Sequence, residues 1–311
     1  PAGTSSIDGL TIHRFPVDAH DHAQHGLVVR AIHDADGNVP DTLEARYLQQ
    51  SLHSQKLMEA LRGRQEEFDA IITGPYLFGL TADFVTEFPH KTLVVPCFHN
   101  EALARLNVWP RIFGEAGGVL YHSMEEQQFA QTELGVNHPN SVVIGTCLAR
   151  SDSAVRSPLP DGLTRPYVVY CGRYSEQKNV PLLLEWFTKY RDPHGKPLGL
   201  VFMGQGDVRL PNAPWLHDLG RVDEATKRAV LAEARALVQL SKQESLSLVV
   251  LEAWAEGTPV IVHRDCPVPC LRRGIPPAFM ARDTSGGTRT VLLTGLDRRR
   301  ILDHAAEPVQ I

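Results

Sequence analysis

The sequence predicts an α/β protein built from two doubly wound domains that face one another. Two observations carry this. Short apolar runs alternate with longer amphipathic stretches along most of the chain, and strands alternating with helices give parallel sheets covered on both faces. The alternation is interrupted once, by SDSAVRSPLPDGLTR at 151–165, which is rich in Ser, Pro and Asp and has no period. At 311 residues the chain is about two domains of ~150 residues long. The predicted organisation is a first Rossmann-like domain over 1–150, a linker over 151–165, a second Rossmann-like domain over 166–266 and an atypical segment over 267–311.

The elements follow in chain order. Strands are expected at GLTIHRF (9–15), DAIITG (69–74), TLVVPC (92–97), GGVLYHS (117–123) and SVVIGTC (141–147). Residues 41–64 read as one helix capped by Asp41, and 124–136 as a helix capped by Ser123 and ended near Gly135. After the linker come PYVVYCG (166–172), a helix over 179–190, LGLVFMGQG (198–206) and WLHDLG (215–220). A helix over about 223–235, a strand at 236–241, a helix over 246–257 and a strand at 258–263 complete the alternation. Residues 267–311 hold seven Arg, no Lys and four acidic residues, a net charge of +3 against −8 elsewhere. Pro, Gly and Arg dominate there and periodicity is weak, so the segment reads as an aberrant end rather than an arm for an anionic partner.

Composition excludes several classes. A net charge of −5 argues against a dedicated nucleic-acid binder. No run of ~18 apolar residues predicts a membrane span. Residues 1–10 lack the basic start and apolar stretch of a signal peptide, and cytoplasm is the expected compartment. Five cysteines, Cys97, Cys147, Cys171, Cys266 and Cys270, are too sparse for a disulfide framework. Asp18, His20, Asp21, His22 and His25 read as a solvated loop, because no second ligand group with zinc spacing accompanies them. Cys266-x3-Cys270 with His263 gives three candidate ligands around two prolines, so no metal site is expected.

The second half carries the candidate chemistry. Glu244 and Glu252 bracket a strand–loop–helix junction, with seven residues between them. The loop Ser245-Leu246-Ser247 offers backbone N–H groups at a helix N-terminus, which suits a phosphate or a polar sugar. Such a junction lies at the carboxyl end of a parallel strand, where open α/β sheets bind ligands. A carboxylate accepts two hydrogen bonds at once, as a vicinal diol requires. Gly172-Arg173 follows the strand 166–172 and Lys178 comes five residues after Arg173, so two cations precede a helix. A planar guanidinium, a point-charge ammonium and a helix dipole together suit a diphosphate. Gly204-Gln205-Gly206 ends another strand and permits close backbone approach.

In order and spacing, four motifs over about 95 residues resemble the retaining GT-B glycosyltransferases, in particular glycosyltransferase family 4. They are V-V-Y-C-G-R-Y-S-E-Q-K-N (168–179), F-M-G-Q-G (202–206), L-G-R-V (219–222) and E-S-L-S-L-V-V-L-E-A-W-A-E-G-T-P-V-I (244–261). The resemblance implies two Rossmann-like domains facing across a cleft that closes on a nucleotide diphosphate sugar. It implies that Arg173 and Lys178 hold the donor diphosphate, that Glu244 contacts hydroxyls of the donor sugar and that Glu252 binds the ribose. Backbone from Ser245 through Leu246, Ser247 and Leu248 would face sugar and phosphate, and Gly220-Arg221-Val222 would lie near the base. In the first half, D-G-L-T-I-H-R-F-P (8–16), V-V-P-C-F-H-N (94–100) and Y-H-S-M-E-E (121–126) match more loosely. By resemblance, His99 faces the transferred sugar.

The implied reaction moves a sugar to an acceptor hydroxyl with retention and without a metal or cofactor. The implied acceptor is a glycan or a lipid-linked molecule. The latter leaves room for peripheral membrane contact, although no basic amphipathic helix supports it. The sequence also departs from the family: its opening strand and Gly-rich turn have no counterpart before 9–15, and HRDCPVPCLRRG (263–274) differs from the family's closing loop. Both ends are thus expected to be truncated or altered. The alternative reading is a catalytically impaired nucleotide-sugar-binding module. A GT-B phosphorylase or epimerase fits the Glu pair less well.

Overall fold

The computed structural model describes residues 2–146, 148, 157–163, 165–194, 198–263, 266, 279–281 and 291–294. The chain divides into two compact units, Pro1–Thr146 and Cys147–Ile311.

The first unit opens with an antiparallel hairpin of β1 (Gly3–Ile7) and β2 (Leu10–Arg14). Asp8 and Gly9 take φ of 51° and 80° at its turn. Asp-Gly favours such a two-residue turn, because both central residues need positive φ. The expected 9–15 strand is therefore the second arm of a hairpin, preceded by β1, and is not a member of a parallel sheet. Helix α1 (His22–Asp34) was not foreseen; Asp21 caps it by accepting from the Ala23 and Gln24 amides. The helix expected over 41–64 is two helices, α2 (Asp41–Gln49) and α3 (Gln55–Arg62). The break follows from local polar bonding. Ser51 Oγ donates to the Leu77 carbonyl, and Ser54 Oγ donates to the Pro16 carbonyl while accepting from the Leu57 amide. Such side chains offer the backbone an alternative to continuing a helix. Pro40, not Asp41, stands at the N-cap of α2, where no side chain makes a capping hydrogen bond, and Asp41 lies inside the first turn.

A parallel sheet follows, with β3 (Ile71–Thr73), β4 (Thr92–Val94), β5 (Gly118–Tyr121) and β6 (Ser141–Val143) side by side in sequence order. Helices α4 (Gly79–Glu87), α5 (Val108–Gly114) and α6 (Met124–Glu133) connect it. Ser123 caps α6 as expected, accepting from the Glu126 amide. One sheet face supplies Val94, Val119 and Tyr121 to a core shared with Tyr76, Phe98, Trp109 and Phe113. By strand alternation and register, Ile72, Leu93, Leu120 and Val142 share the other face. Ile72 is 67 % and Val142 50 % exposed, so this sheet is not covered on both faces as expected.

The second unit comprises β7 (Tyr167–Cys171), α7 (Val180–His194), β8 (Gly199–Met203), β9 (Leu216–Asp218), α8 (Glu224–Glu233), β10 (Leu237–Gln239), α9 (Leu248–Ala255), β11 (Val260–Val262), β12 (Phe279–Ala281) and β13 (Val291–Thr294). Five strands are parallel in the order β11-β10-β7-β8-β9, and β13 and β12 extend the β11 edge antiparallel. The segment 267–311, read as weakly periodic, thus contributes two strands, of which β12 is the edge; its other residues lie outside those described. Tyr167 and Val169 point to a core with Val250 and Ala253 of α9, while Val168 and Tyr170 point to one with Val180, Leu183 and Phe187 of α7. This sheet is covered on both faces, as its continuous apolar strands require. Residues 151–156 and 164 of the predicted linker lie outside the described residues. Leu159 and Leu163 pack against the core beside α9.

Candidate functional site

In the second unit, strand order reverses between β7 and β10, which are neighbours although four elements of chain separate them. The chain leaves β7 toward β8 on one side and β10 toward β11 on the other. The loops after these strands consequently diverge and open a crevice at their carboxyl ends, where doubly wound sheets bind ligands. Gly172–Lys178 follows β7, and Leu240–Ser247 follows β10. Of the residues singled out for the donor, Gly172, Arg173, Lys178, Glu244, Ser245, Leu246 and Ser247 sit in these two loops; Leu248 and Glu252 lie in α9, Gly204 and Gly206 in the loop after β8, and Val222 beyond β9.

Two contacts join the loops. Lys178 Nζ donates to Glu244 Oε1 at 2.7 Å, with side-chain exposures of 32 % and 11 %. Asn179, at φ 54°, donates its side-chain amide to the Leu240 carbonyl at 2.7 Å. The ammonium keeps two further protons for another acceptor. The Arg173 side chain is exposed, and its guanidinium makes no hydrogen bond or ion pair among the described residues. Its carbonyl accepts from Tyr170 Oη at 2.6 Å, which fixes the loop backbone. At the start of α9, the amides of Leu246, Ser247 and Leu248 are not engaged by any hydrogen bond among the described residues. Free first-turn amides and the helix dipole favour an anion.

Glu252 lies one turn into α9. Its Oε1 accepts from Lys227 Nζ of α8 at 2.8 Å, and Lys227 also bonds Glu224 Oε2 at 2.8 Å. Burial alone would lower the Lys227 ammonium, but the two carboxylates outweigh it and hold the group above its ordinary range. One Glu252 oxygen is thus tethered, and the other accepts no hydrogen bond among the described residues. Cys171 ends β7 beside this group, and burial pushes its thiol up to about 11 against the pull of Lys227.

The two glycines of Gly204-Gln205-Gly206 are demanded by backbone packing. A Cβ on Gly204 would meet the Gly172 carbonyl oxygen at 1.9 Å, and one on Gly206 would meet the Tyr174 oxygen at 2.2 Å. The β8 loop therefore lies directly against the Gly172–Tyr174 loop. Gly204 N donates to the Gly220 carbonyl at 2.7 Å, bringing Gly220, Arg221 and Val222 alongside. Tyr174 Oη and the Gly220 amide both donate to Asp218 Oδ1. Val222 packs against the core beneath α9.

In the first unit, His99 lies in the loop after β4, at the carboxyl end of that sheet. Its Nε2 is 3.0 Å from Glu101 Oε1, and its Nδ1 is 3.3 Å from the Cys97 carbonyl. Tyr76 Oη donates to the same Glu101 oxygen. Burial would raise the Glu101 carboxyl, but the His99 hydrogen bond and charge, together with Tyr76, bring it below its ordinary range. Glu126 of α6 holds this loop: its two oxygens accept from the Phe98 and His122 amides at 2.7 and 2.8 Å.

Sequence reasoning missed Glu101, Tyr76, Glu126, Lys227 and Asp218. Only Glu101, two residues past His99 in the same loop, carried a local hint. The cysteines Cys97 and Cys171 are free; Cys147 and Cys270 lie outside the described residues. No group of three or more His, Cys, Asp or Glu side chains fit to hold a metal occurs among the described residues. Among them, no helix is long and apolar enough to cross a membrane.

Residues 165–281 match the family model described as glycosyl transferases group 1. No curated protein matches the chain in sequence. Among solved structures, the pneumococcal O-GlcNAc transferase GtfA in complex with UDP and GlcNAc is 15 % identical, with a TM-score of 0.50 over 70 % of this chain and 46 % of its own. A variant of S. aureus TarM in complex with fondaparinux, alpha-GlcNAc-glycerol and UDP is 14 % identical, with a TM-score of 0.51 over 71 % of this chain and 48 % of its own. Sucrose-phosphate synthase from Thermosynechococcus elongatus is 17 % identical, with a TM-score of 0.50 over 72 % of this chain and 62 % of its own. The chain spans about half the length of the first two structures. The fold is the mixed α/β, parallel-sheet fold of the GT-B glycosyltransferases, and residues 165–281 match glycosyl transferases group 1.

Proposed function

We propose that the chain transfers a sugar from a nucleotide diphosphate sugar to an acceptor hydroxyl, with retention and without a metal ion. The observation that supports this most is the pair of loops at the β7/β10 switch point. They bring Arg173, Lys178, Glu244 and the unengaged amides at the start of α9 to one crevice. Departure of a diphosphate builds negative charge on its oxygens. Arg173, the two remaining Lys178 protons and the α9 amides are the groups suited to stabilise it. In this reading Lys178 also holds Glu244, which contacts the donor sugar, and the untethered oxygen of Glu252 takes the ribose. Gly172, Gly204 and Gly206 keep the loop backbones close together beside Val222 and the base. His99 faces the transferred sugar.

The presence of UDP in the GtfA and TarM complexes makes uracil the first base to try. The acceptor class is a glycan or a lipid-linked molecule, and the compartment is the cytoplasm. The test is incubation with UDP-sugars, each with and without an acceptor panel and with EDTA throughout. Sugar-linked product and UDP release in EDTA, both abolished in Arg173→Ala, are the expected outcome. UDP binding without release under any condition would favour a binding module instead.

A further inference from the structure

Resting on that reading, the structure assigns Glu101, clamped by Tyr76, as the positioning residue that fixes the ring and charge of His99. Both ring nitrogens of His99 face acceptors, Glu101 Oε1 at 3.0 Å and the Cys97 carbonyl at 3.3 Å. A neutral imidazole has one N–H and one lone pair, so it would aim the lone pair at an oxygen. Only the imidazolium satisfies both contacts. The carboxylate that faces it is largely buried, with 13 % of its side chain exposed. Tyr76 is fully buried, and burial beside Glu101 drives its phenol far above its ordinary range, so Tyr76 donates and never competes as an anion. Tyr47 is a buried neutral neighbour of Glu101, and His33 of α1 is the other titratable group that acts on the Glu101 carboxylate. Glu126 anchors the loop backbone at Phe98, which sets the ring's starting point.

The consequence for mechanism is specific. A doubly tethered imidazolium presents positive charge and N–H edges; it is not a base that takes a proton from the acceptor hydroxyl. In the transfer reading, another group must receive that proton, and the departing diphosphate oxygen is the group whose basicity rises as the bond breaks.

The test uses the whole chain with ¹⁵N-labelled histidine ring nitrogens. His99→Gln assigns the His99 resonances. The expected wild-type spectrum near neutral pH shows both His99 nitrogens protonated, and Glu101→Gln shifts the pair to the neutral-ring pattern. Glu101→Asp, which keeps the charge, restores the protonated pattern at least in part. A neutral His99 ring in the wild type overturns the assignment, even if the Glu101 variants fail to fold. So does a protonated ring that Glu101→Gln leaves unchanged. In transfer assays, Glu101→Gln is expected to lower kcat at least about tenfold with little change in KM for the donor. If the wild type shows no transfer but the ring pattern holds, the transferase reading fails and the Glu101 assignment stands.

Discussion

Replacing Gly204 by Ala tests whether the β7 and β8 loops are locked together at the switch point. The new Cβ would lie 1.9 Å from the Gly172 oxygen and 2.9 Å from its carbonyl carbon, both backbone atoms with little room to yield. Gly204 also sits at φ +142°, outside the range that side-chain-bearing residues adopt readily. Such a backbone costs about 1–3 kcal/mol for a non-glycine residue. Overpacking adds about 1–3 kcal/mol. A loss of about 4 kcal/mol is therefore expected. Gly220→Ala is the internal control: its φ of +61° is also unfavourable, but no heavy atom lies within 4 Å of the added Cβ. It should cost about 1–2 kcal/mol. Urea unfolding of the two variants and the wild type, followed by tryptophan fluorescence, reads the difference. If Gly204→Ala loses no more stability than Gly220→Ala, close approach of the loops is not what demands glycine here.

Two further predictions concern the first unit. His53 bonds Asp83 at 2.6 Å, and that hydrogen bond raises its pKa above the ordinary 6.5 despite burial. The folded state keeps a proton that the unfolded state releases. The stabilisation is full below about 6.5 and is lost as pH rises through the folded value. The melting temperature should therefore fall from about pH 6 to about pH 8.5 by more in the wild type than in Asp83→Asn; equal slopes would refute this. Glu126→Ala leaves the Phe98 and His122 amides without their acceptor, at a cost of about 1–3 kcal/mol for each unsatisfied group. Urea unfolding should show a loss of about 3 kcal/mol, and a loss below about 1 kcal/mol would mean that the loops find other partners.

The fold of the second unit was legible because local pattern and tertiary environment agree there. Runs such as VVY at 168–170 and LVF at 200–202 are apolar throughout, as strands buried on both faces must be. The loops that follow β7 and β10 carry Gly, Arg, Lys and Glu, so their place at the carboxyl ends of these strands could be read from the sequence. Where local chemistry competed with periodicity, the reading failed. Asp8-Gly9 turned the chain back on itself, and Ser51 and Ser54 broke a helix that the apolar spacing alone would continue. Partners were harder still. Tyr76 meets Glu101 and Lys227 meets Glu252 only because separate elements are packed side by side, and no spacing rule within either stretch encodes the pairing.

The most direct test of the central claim is calorimetric titration of UDP into the whole chain with EDTA present, alongside Glu252→Ala and Arg173→Ala. The account predicts saturable one-site binding. Each variant should bind at least about tenfold more weakly, because hydrogen bonds to charged groups contribute about 1.5–3 kcal/mol each. Binding that neither substitution weakens would place the nucleotide somewhere other than the β7/β10 crevice and contradict the account.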